Sequence, residues 1–238
     1  MRQRLDHYLV RRGLVATRSQ AESYIKLGQV TVNRKVITKP GQLVRPADEV
    51  ALTAAEQYVS RAGLKLASVA AALKLDFADK IMLDVGSSTG GFTDYALRHG
   101  AKKVLAVDVG TDQLHPSLRT DERIELHEKT DIRQFKTAEQ PDIVVIDVSF
   151  ISLRDILPAV AKLSSPRTQI VAMVKPQFEA GASSLKHKGV IKNDRLRREI
   201  LKAFEQWAKE HFIIIDKADS QVAGSKGNQE RFYLLKKL

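Results

Sequence analysis

Apolar residues recur at helical spacing near the start of the chain and then give way to alternation. The first helical pattern runs from Leu5 to Leu14, and a second helix is predicted over Ser19 to Leu27. Ser19 and Glu22 fit a capping box at the start of that second helix. Apolar and polar residues then alternate over residues 30–37, with Asn33-Arg34 as the predicted turn. Residues 1–53 are therefore predicted to form a small α+β unit, and residues 54–58 a linker.

Compact apolar runs of strand length recur through residues 59–238 and alternate with helical segments. Runs that are apolar throughout are typical of central strands buried on both faces. The predicted central strands are Ile81 to Val85, Val104 to Val109, Ile143 to Val148 and Ile170 to Val174. Helices are predicted at Gly63 to Leu75 and Asp194 to Lys209, and an antiparallel edge pair at Ile213 to Ile215 and Phe232 to Leu235. This order predicts a doubly wound α/β domain with a mostly parallel sheet.

Composition adds a chemical bias to this architecture. The 238 residues include 39 Lys and Arg against 28 Asp and Glu, a formal net charge of +11. A generally basic surface and a polyanionic partner both fit that surplus, and phosphate contacts favour a nucleic acid. The absence of cysteine excludes disulfides, thiolate nucleophiles and Cys-ligated zinc, and no metal site is expected. No secretion signal or run of roughly 18 apolar residues is found, so we expect a cytoplasmic protein without a membrane partner.

A glycine-rich turn follows the first central strand, at the edge of the sheet where α/β domains bind ligands. Its spacing is G-x-x-x-G-G, which differs from the pattern of dinucleotide enzymes. An acid stands just before the turn, which suits a ligand with an amino group and a sulfonium and would repel a pyrophosphate. The turn therefore predicts S-adenosylmethionine as cofactor. The predicted contact residues in and beside the turn are Asp84, Gly86, Ser88, Gly90, Gly91 and Phe92.

Two further aspartates follow the next strands along the chain. Asp108 ends the strand Val104 to Val109, where a carboxylate can accept hydrogen bonds from both ribose hydroxyls. Asp131 follows the strand-like residues 124–128 and could accept from an adenine amino group. One alternative is a plain tight turn in which the aspartates are helix caps. A second is an NAD-dependent oxidoreductase, because Asp108 alone does not distinguish NAD from S-adenosylmethionine. The order of the acid, the turn and Asp108 at successive strand ends favours the cofactor.

Lysines stand at two informative places for proton transfer. Methyl transfer to an alcohol requires removal of the hydroxyl proton, and a lysine can accept it when neighbouring cations or desolvation lower its pKa. Lys175 follows the strand Ile170 to Val174, and Lys65 lies at the start of the helix that leads into the domain. Asp147 ends the strand Ile143 to Ile146 and is expected beside the cofactor turn. A solvated lysine at a strand end is the alternative for each cation.

Residues 1–53 resemble the S4 RNA-binding domain. The resemblance lies in Arg4-Leu5-Asp6, in residues 14–21 (LVATRSQA) and in residues 25–33 (IKLGQVTVN). It implies a surface that grips structured RNA through phosphates and shape. The basic residues expected to contact RNA are Arg4, Arg11, Arg12, Arg18, Lys26, Arg34, Lys35 and Arg61.

Residues 60–238 resemble the ribosomal-RNA methyltransferases of the FtsJ/RrmJ superfamily, and with the S4-type unit nearly the whole chain resembles the TlyA family, sometimes labelled hemolysin A. The matching stretches include residues 59–66 (VSRAGLKL), 84–93 (DVGSSTGGFT), 146–153 (IDVSFISL), 174–179 (VKPQFE) and 227–230 (GNQE). The resemblance implies a Rossmann-like class I S-adenosylmethionine methyltransferase domain with a seven-stranded sheet. It implies 2′-O-methylation of a ribose, with cytidine as the expected nucleoside, in 16S or 23S ribosomal RNA, or both.

The same resemblance implies a Lys-Asp-Lys-Glu tetrad on Lys65, Asp147, Lys175 and Glu230, with Lys175 as the base. Ribosomal RNA or a ribosomal subunit is the implied partner, and no obligate protein partner is expected. The Gly- and Lys-rich residues 179–192 fit either a lid over RNA or an ordinary surface loop. The remaining alternatives are an RNA-binding protein with an inactive methyltransferase fold and a membrane-active hemolysin.

Overall fold

The computed structural model describes residues 2–180, 190–191, 193–224 and 227–238. Most of the segment predicted as a lid or surface loop, residues 179–192, lies outside these ranges. The bounds of the elements in the first unit are β1 (Gln3–Arg4), α1 (Leu5–Arg11), α2 (Arg18–Lys26), β2 (Val30–Val32), β3 (Lys35–Val36), β4 (Leu43–Val44) and β5 (Val50–Leu52). Strands β1 and β4 pair, and β3, β2 and β5 form a second small sheet in that order.

Local chemistry explains the boundaries of this unit. Asn33 and Arg34 both have positive φ, at 50° and 64°, and join β2 to β3 through a two-residue turn of the kind that suits twisted hairpins. The capping box prediction was wrong by two residues. Thr17 is the N-cap of α2, its hydroxyl accepts from the Gln20 amide, and Gln20 Oε1 accepts from the Thr17 amide. Thr17-x-x-Gln20 fits the same motif as the predicted pair, so spacing alone did not distinguish them.

The second unit contains the long sheet and its covering helices. Its elements are α3 (Arg61–Ala70), β6 (Ile81–Val85), α4 (Gly91–Arg98), β7 (Lys103–Val107), β8 (Ile124–His127), β9 (Ile143–Ile146), α5 (Leu153–Leu163), β10 (Gln169–Val174), α6 (Pro176–Glu179), α7 (Asp194–Lys209), β11 (Phe212–Asp219) and β12 (Arg231–Lys237). The seven strands are ordered β11-β12-β10-β9-β6-β7-β8, and β12 runs antiparallel to both neighbours. The doubly wound sheet and its antiparallel edge pair are therefore confirmed.

Some predicted elements end in the wrong place. Helix α3 stops at Ala70 instead of Leu75, because the chain turns there and Lys74 adopts a φ of 51°. Strands β7 and β9 end at Val107 and Ile146, each just before an aspartate. The polypeptide leaves the sheet at those points and turns across its edge, so apolar residues beyond the aspartates do not continue the ladder.

The core lies on both faces of the sheet. Successive residues of β6 point to opposite sides, so Met82 joins one apolar cluster and Leu83 the other. Helices α3 and α4 cover the first face with residues such as Phe92, while α5 and α7 cover the second with residues such as Phe204. The first cluster continues into the N-terminal unit through Tyr24. Across the described ranges, no helix combines the length and apolarity needed to span a membrane.

Candidate active site

The strand order reverses at β6, whose neighbours are β7 on one side and β9 on the other. Such a switch point opens a crevice at the carboxyl ends of the strands. Two adjoining cavities of about 420 and 150 Å³ occupy this crevice. Gly86, Ser88, Asp147 and Ser149 line both of them. The crevice is therefore one continuous site with a larger and a smaller chamber.

The glycines of the turn do different things. Gly86 has a φ of 81°, and a Cβ there would lie 2.7 Å from the Asp147 carbonyl oxygen, so only glycine lets the end of β9 approach the turn. Gly90 faces Leu118, and a Cβ on Gly91 would lie 2.2 Å from Ser60 Oγ at the start of α3. Of these three glycines, only Gly86 lines the crevice. Gly90 and Gly91 pack tightly against neighbouring side chains, and their predicted cofactor contacts remain predictions.

Asp84 lies under the turn with no exposed surface. Its Oδ2 accepts a hydrogen bond from Thr93 Oγ1 at 2.7 Å. Within the described part of the chain, its Oδ1 and the nearby Ser87 Oγ have no hydrogen-bond partner. Burial, with the nearby Asp147 and Asp108 carboxylates, raises the pKa of Asp84 to about 7. Asp84 and Ser87 both line the smaller chamber. Two buried acceptor oxygens that lack a donor there fit a cationic ligand group.

Asp108 and Asp131 both line the larger chamber, as predicted. The two carboxylate oxygens of Asp108 accept from the backbone amides of Ser88 and Gly110, each at 2.7 Å. Each oxygen retains a second lone pair that can accept a ribose hydroxyl. Asp131 instead forms a bidentate ion pair with Arg133, which lowers the pKa of its carboxyl. Its predicted bond to an adenine amino group therefore competes with a strong internal partner.

Lys175 and Asp147 meet across the smaller chamber. Lys175 Nζ lies 2.5 Å from Asp147 Oδ1 and donates to Ser149 Oγ at 2.8 Å. The lysine side chain is only 10% exposed. The two residues follow the adjacent parallel strands β9 and β10, whose carboxyl ends lie at the same edge of the sheet. The lysine therefore has one hydrogen bond, to Ser149, and one close charge contact, to Asp147.

Lys65 and Glu230 form a second ion pair, with Nζ and Oε2 at 2.6 Å. Both side chains are almost completely buried, at 8% and 3% exposed. Lys65 lies on α3, which covers the first face of the sheet, and Glu230 lies just before the sheet strand β12. A Cβ on Gly224 would come within 2.7 Å of Glu230 Oε1, so the loop before β12 encloses the carboxylate closely. The four predicted tetrad residues are thus found as two lysine–carboxylate pairs.

The predicted RNA contacts divide into two groups. Arg4 and Arg18 bind the buried carboxylate of Asp6 at 2.8 and 2.9 Å, and Arg34 approaches Glu49 at 3.9 Å. The other five have no ion pair to the residues that the structure describes. They are Arg11, Arg12, Lys26, Lys35 and Arg61. Two of the expected contacts therefore help to hold the fold, and these five cations remain available for phosphates.

Several crevice residues were missed by sequence reasoning. Thr93 and Ser149 are ordinary polar residues whose roles depend on contacts across the fold. Phe150 is 91% exposed, adopts a φ of 66° and contacts the Phe178 ring, with centroids 5.2 Å apart. Val109, 73% exposed, also lines the larger chamber. Val109 directly follows the strand-end Asp108, which was an available signal, whereas Phe150 lies three positions after Asp147 and gave none. Within the described ranges, no cluster of three potential metal ligands is present.

Open α/β sheets support many chemistries. Here the unpaired, buried carboxylate of Asp84 shares its chamber with Lys175, an arrangement that suits group transfer from a cationic donor. The fold and this chamber together are those of an α/β methyltransferase. Residues 58–237 match the family model described as FtsJ-like methyltransferase, and residues 3–50 match the S4 domain. The chain belongs to the FtsJ-like methyltransferase family and carries an S4 domain.

Relatives of known description cover most of the chain. The 16S/23S rRNA (cytidine-2′-O)-methyltransferase TlyA of Mycobacterium tuberculosis is 39% identical over 245 residues, which cover 99% of this chain and 90% of that protein. Hemolysin A of Brachyspira hyodysenteriae is 38% identical over 232 residues, 95% of this chain and 97% of that one. A solved structure of a hemolysin-type protein from Streptococcus thermophilus has a TM-score of 0.73 at 39% identity, covering 99% and 88% of the two chains.

Proposed function

We propose that this protein transfers a methyl group from S-adenosylmethionine to the 2′-hydroxyl of a cytidine ribose in 16S or 23S ribosomal RNA, or both. The observation that carries the proposal is the Lys175–Asp147 pair, 2.5 Å apart, in the chamber that also receives the unpaired Asp84 oxygen. This arrangement would put a base and an anionic site for a cationic donor in one chamber. The TlyA relative, described as a cytidine-2′-O-methyltransferase, supports the same acceptor.

The residues of the crevice fit S-adenosylmethionine. The orphaned Asp84 Oδ1 and Ser87 Oγ are acceptors suited to its amino group. Asp108 lies in the larger chamber, where its remaining lone pairs suit ribose hydroxyls, and Val109 and Ile132 supply apolar surface beside it for a base. S-adenosylmethionine would supply a methyl group bonded to a positively charged sulfur.

Lys175 would act as the base at the acceptor ribose. Lys175 Nζ would accept the hydroxyl proton as the 2′-oxygen takes the methyl group that the cofactor would supply. Asp147 then stabilises the resulting ammonium through the short contact already present. The buried Lys65–Glu230 pair lines neither chamber and would tune the charge around Lys175. The S4 unit would bind the surrounding RNA through its free cations.

Methyl transfer to unmodified 30S and 50S subunits and to their naked RNAs tests this proposal. Label from S-adenosylmethionine should appear on a ribose 2′-oxygen, located by nuclease digestion and mass spectrometry. We expect Lys175→Ala to lower the rate by about 10²–10⁴-fold with cofactor affinity nearly unchanged. Lys175→Arg retains a cation that cannot lose its proton and should be equally inactive.

The exposed Lys162 on α5 provides a matched control, and Lys162→Ala should leave the rate within about twofold. Activity retained by Lys175→Arg would reject Lys175 as the base. Cofactor binding by the wild-type protein without label on any RNA would instead favour an RNA-binding protein with an inactive catalytic domain.

A further inference from the structure

Two chain segments leave the sheet side by side at the candidate active site. One follows β9 and begins with Asp147, and the other follows β10 and begins with Lys175. They touch first through the Lys175 contacts to Asp147 and Ser149. They touch again where the rings of Phe178 and Phe150 meet. The proposed catalytic pair is therefore the first of a series of contacts between these segments.

Glu179 makes the last contact in this series. Its Oε2 accepts from Ser152 Oγ and its Oε1 accepts from the Leu153 amide, each at 2.7 Å. Ser152 is the N-cap of α5, so the carboxylate lies at the positive end of that helix. The side chain is 1% exposed, and burial raises the pKa of Glu179 despite these donors. Glu179 thus fastens the end of α6 to the start of α5.

The backbone connects Glu179 directly to Lys175. The short helix α6 begins at Pro176, and the Lys175 carbonyl oxygen accepts from the amides of Phe178 and Glu179 at 2.9 and 3.3 Å. A rigid turn therefore joins the lysine to the carboxylate. Any movement of Glu179 away from α5 would move the Lys175 backbone relative to Asp147. The lysine side chain could not correct such a shift without losing one of its two contacts.

We propose that Glu179 is a positioning residue for methyl transfer, which holds Lys175 against Asp147 and Ser149 by anchoring α6 to the N-terminus of α5. The inference rests on the proposed role of Lys175 but concerns a residue outside the tetrad. Glu179 does not line either chamber of the crevice, so it acts through Lys175.

Three variants test the anchor. Glu179→Ala removes both acceptors, and a displacement of about 1 Å at a reacting group can cost on the order of 10²-fold in rate. We expect kcat to fall by about 30–100-fold, with the S-adenosylmethionine Kd and the RNA KM within about threefold. Glu179→Gln keeps an acceptor for Leu153 and can donate to Ser152 Oγ, so it should restore most of kcat. Asp142→Ala is the matched control, because its carboxylate caps the Ile81 amide at the opposite end of the sheet.

A second readout does not depend on the RNA acceptor. Labelling of Lys175 by an amine-reactive reagent, followed by mass spectrometry, measures how firmly its ammonium is held. We expect Glu179→Ala to accelerate labelling of Lys175 several-fold and to leave labelling of the buried Lys65 unchanged. Unchanged Lys175 labelling, or a fall in kcat matched by Asp142→Ala at equal loss of thermal stability, would overturn the proposal. Failure of the wild-type protein to methylate RNA would reject the proposed function while the labelling result still decides the anchor.

Discussion

Asp6 in the S4 unit and Asp84 in the catalytic unit are both aspartates with no exposed surface, and their surroundings are opposite. Asp6 accepts from the Arg4 and Arg18 guanidinium groups and from the His7 amide, and these donors hold its pKa at about 2 in spite of burial. Asp84 has one hydroxyl donor in Thr93 and an oxygen left without a partner among the described residues, so burial dominates and its pKa rises to about 7.

The comparison indicates that the Asp6 carboxylate supports the fold and that the Asp84 carboxylate is suited to binding a ligand. A fully paired buried charge costs stability when its partners are removed, whereas an unpaired buried charge costs stability until a ligand binds it. In the catalytic unit, the unpaired Asp84 carboxylate under the glycine turn lowers the stability of the ligand-free protein. In the S4 unit, the buried Asp6 carboxylate is paired with Arg4 and Arg18, two arginines that were predicted to contact RNA.

The largest effect is expected from substitution of Asp84. Asp84→Asn removes the anionic acceptor, and loss of a buried charge partner typically costs about 2–5 kcal/mol of binding. We expect S-adenosylmethionine affinity to fall by about 10³-fold in calorimetric titration. The ligand-free variant should unfold at a higher temperature than wild type at pH 8, because the asparagine carries no buried charge. An Asp84→Asn protein that binds the cofactor normally would show that the unpaired oxygen has no role in recognition.

Removal of the paired aspartate should give the reverse result. Asp6→Ala leaves Arg4 and Arg18 without their shared acceptor, and both can still reach water, so we expect a loss of about 2–3 kcal/mol of unfolding free energy. Cofactor affinity should stay within about twofold, since the S4 unit does not line the crevice. Urea unfolding and titration of the same sample measure the two quantities. An unfolding free energy of Asp6→Ala equal to that of the wild type would contradict the proposed role of Asp6 in stabilising the S4 unit.

The pH dependence of stability should carry opposite signs for the two groups. The folded pKa of Asp6 is lowered, so its stabilisation is present above about pH 4 and is lost as the pH falls towards 2. The folded pKa of Asp84 is raised, so the ligand-free protein loses stability from this group as the pH rises from about 4 to 7. Thermal unfolding between pH 5 and 8 should therefore show a slope that Asp84→Asn flattens. An unchanged slope in the variant would contradict the raised pKa of Asp84.

The smallest effects are expected at the unpaired cations of the S4 unit. Arg11→Ala and Arg12→Ala should each weaken RNA binding by about 1 kcal/mol and reduce the salt slope by about one unit, without a change in stability beyond about 0.5 kcal/mol. Arg18→Ala is the internal contrast, because it should lower stability as well. Binding isotherms at several salt concentrations, with urea unfolding, separate the two classes. Equal stability losses in Arg12→Ala and Arg18→Ala would contradict the division into RNA-binding and fold-supporting arginines.

Sequence reasoning predicted the sheet well because its signals were local and strong. Apolar runs bounded by glycines and aspartates located β6, β9 and β10 within a few residues, and Asp194–Lys209 was predicted to the residue. The capping box of α2 failed because two overlapping segments satisfy the same four-residue pattern. The lengths of α3 and β9 failed because the chain turns there for tertiary reasons that periodicity does not record.

Sequence reasoning placed the principal polar residues at the crevice but not their pairing. Strand-end aspartates and lysines follow a rule of α/β sheets, so Asp84, Asp147 and Lys175 could be predicted from position. The assignment of Glu230 came from a family resemblance, and its contact with Lys65 spans distant parts of the chain. Thr93, Ser149 and Glu179 gave no signal of their own, because each matters only through a partner brought close by folding. Gly90 and Gly91 shared the sequence signal of Gly86, and sequence did not show that the start of α4 packs too tightly there for a side chain.

The position of β12 in the sheet has a consequence for how the polypeptide folds. β12 follows β11 in the chain yet lies between β11 and β10, and Glu230 just before it meets Lys65, 230 − 65 = 165 residues earlier. Closing so long a loop carries a large entropic cost, whereas neighbouring parallel strands β6 and β7 are joined by one short helix. We expect the crevice floor to form early in folding and the Lys65–Glu230 contact to form late. A partly folded chain would therefore acquire its anionic turn before both lysine–carboxylate pairs are assembled.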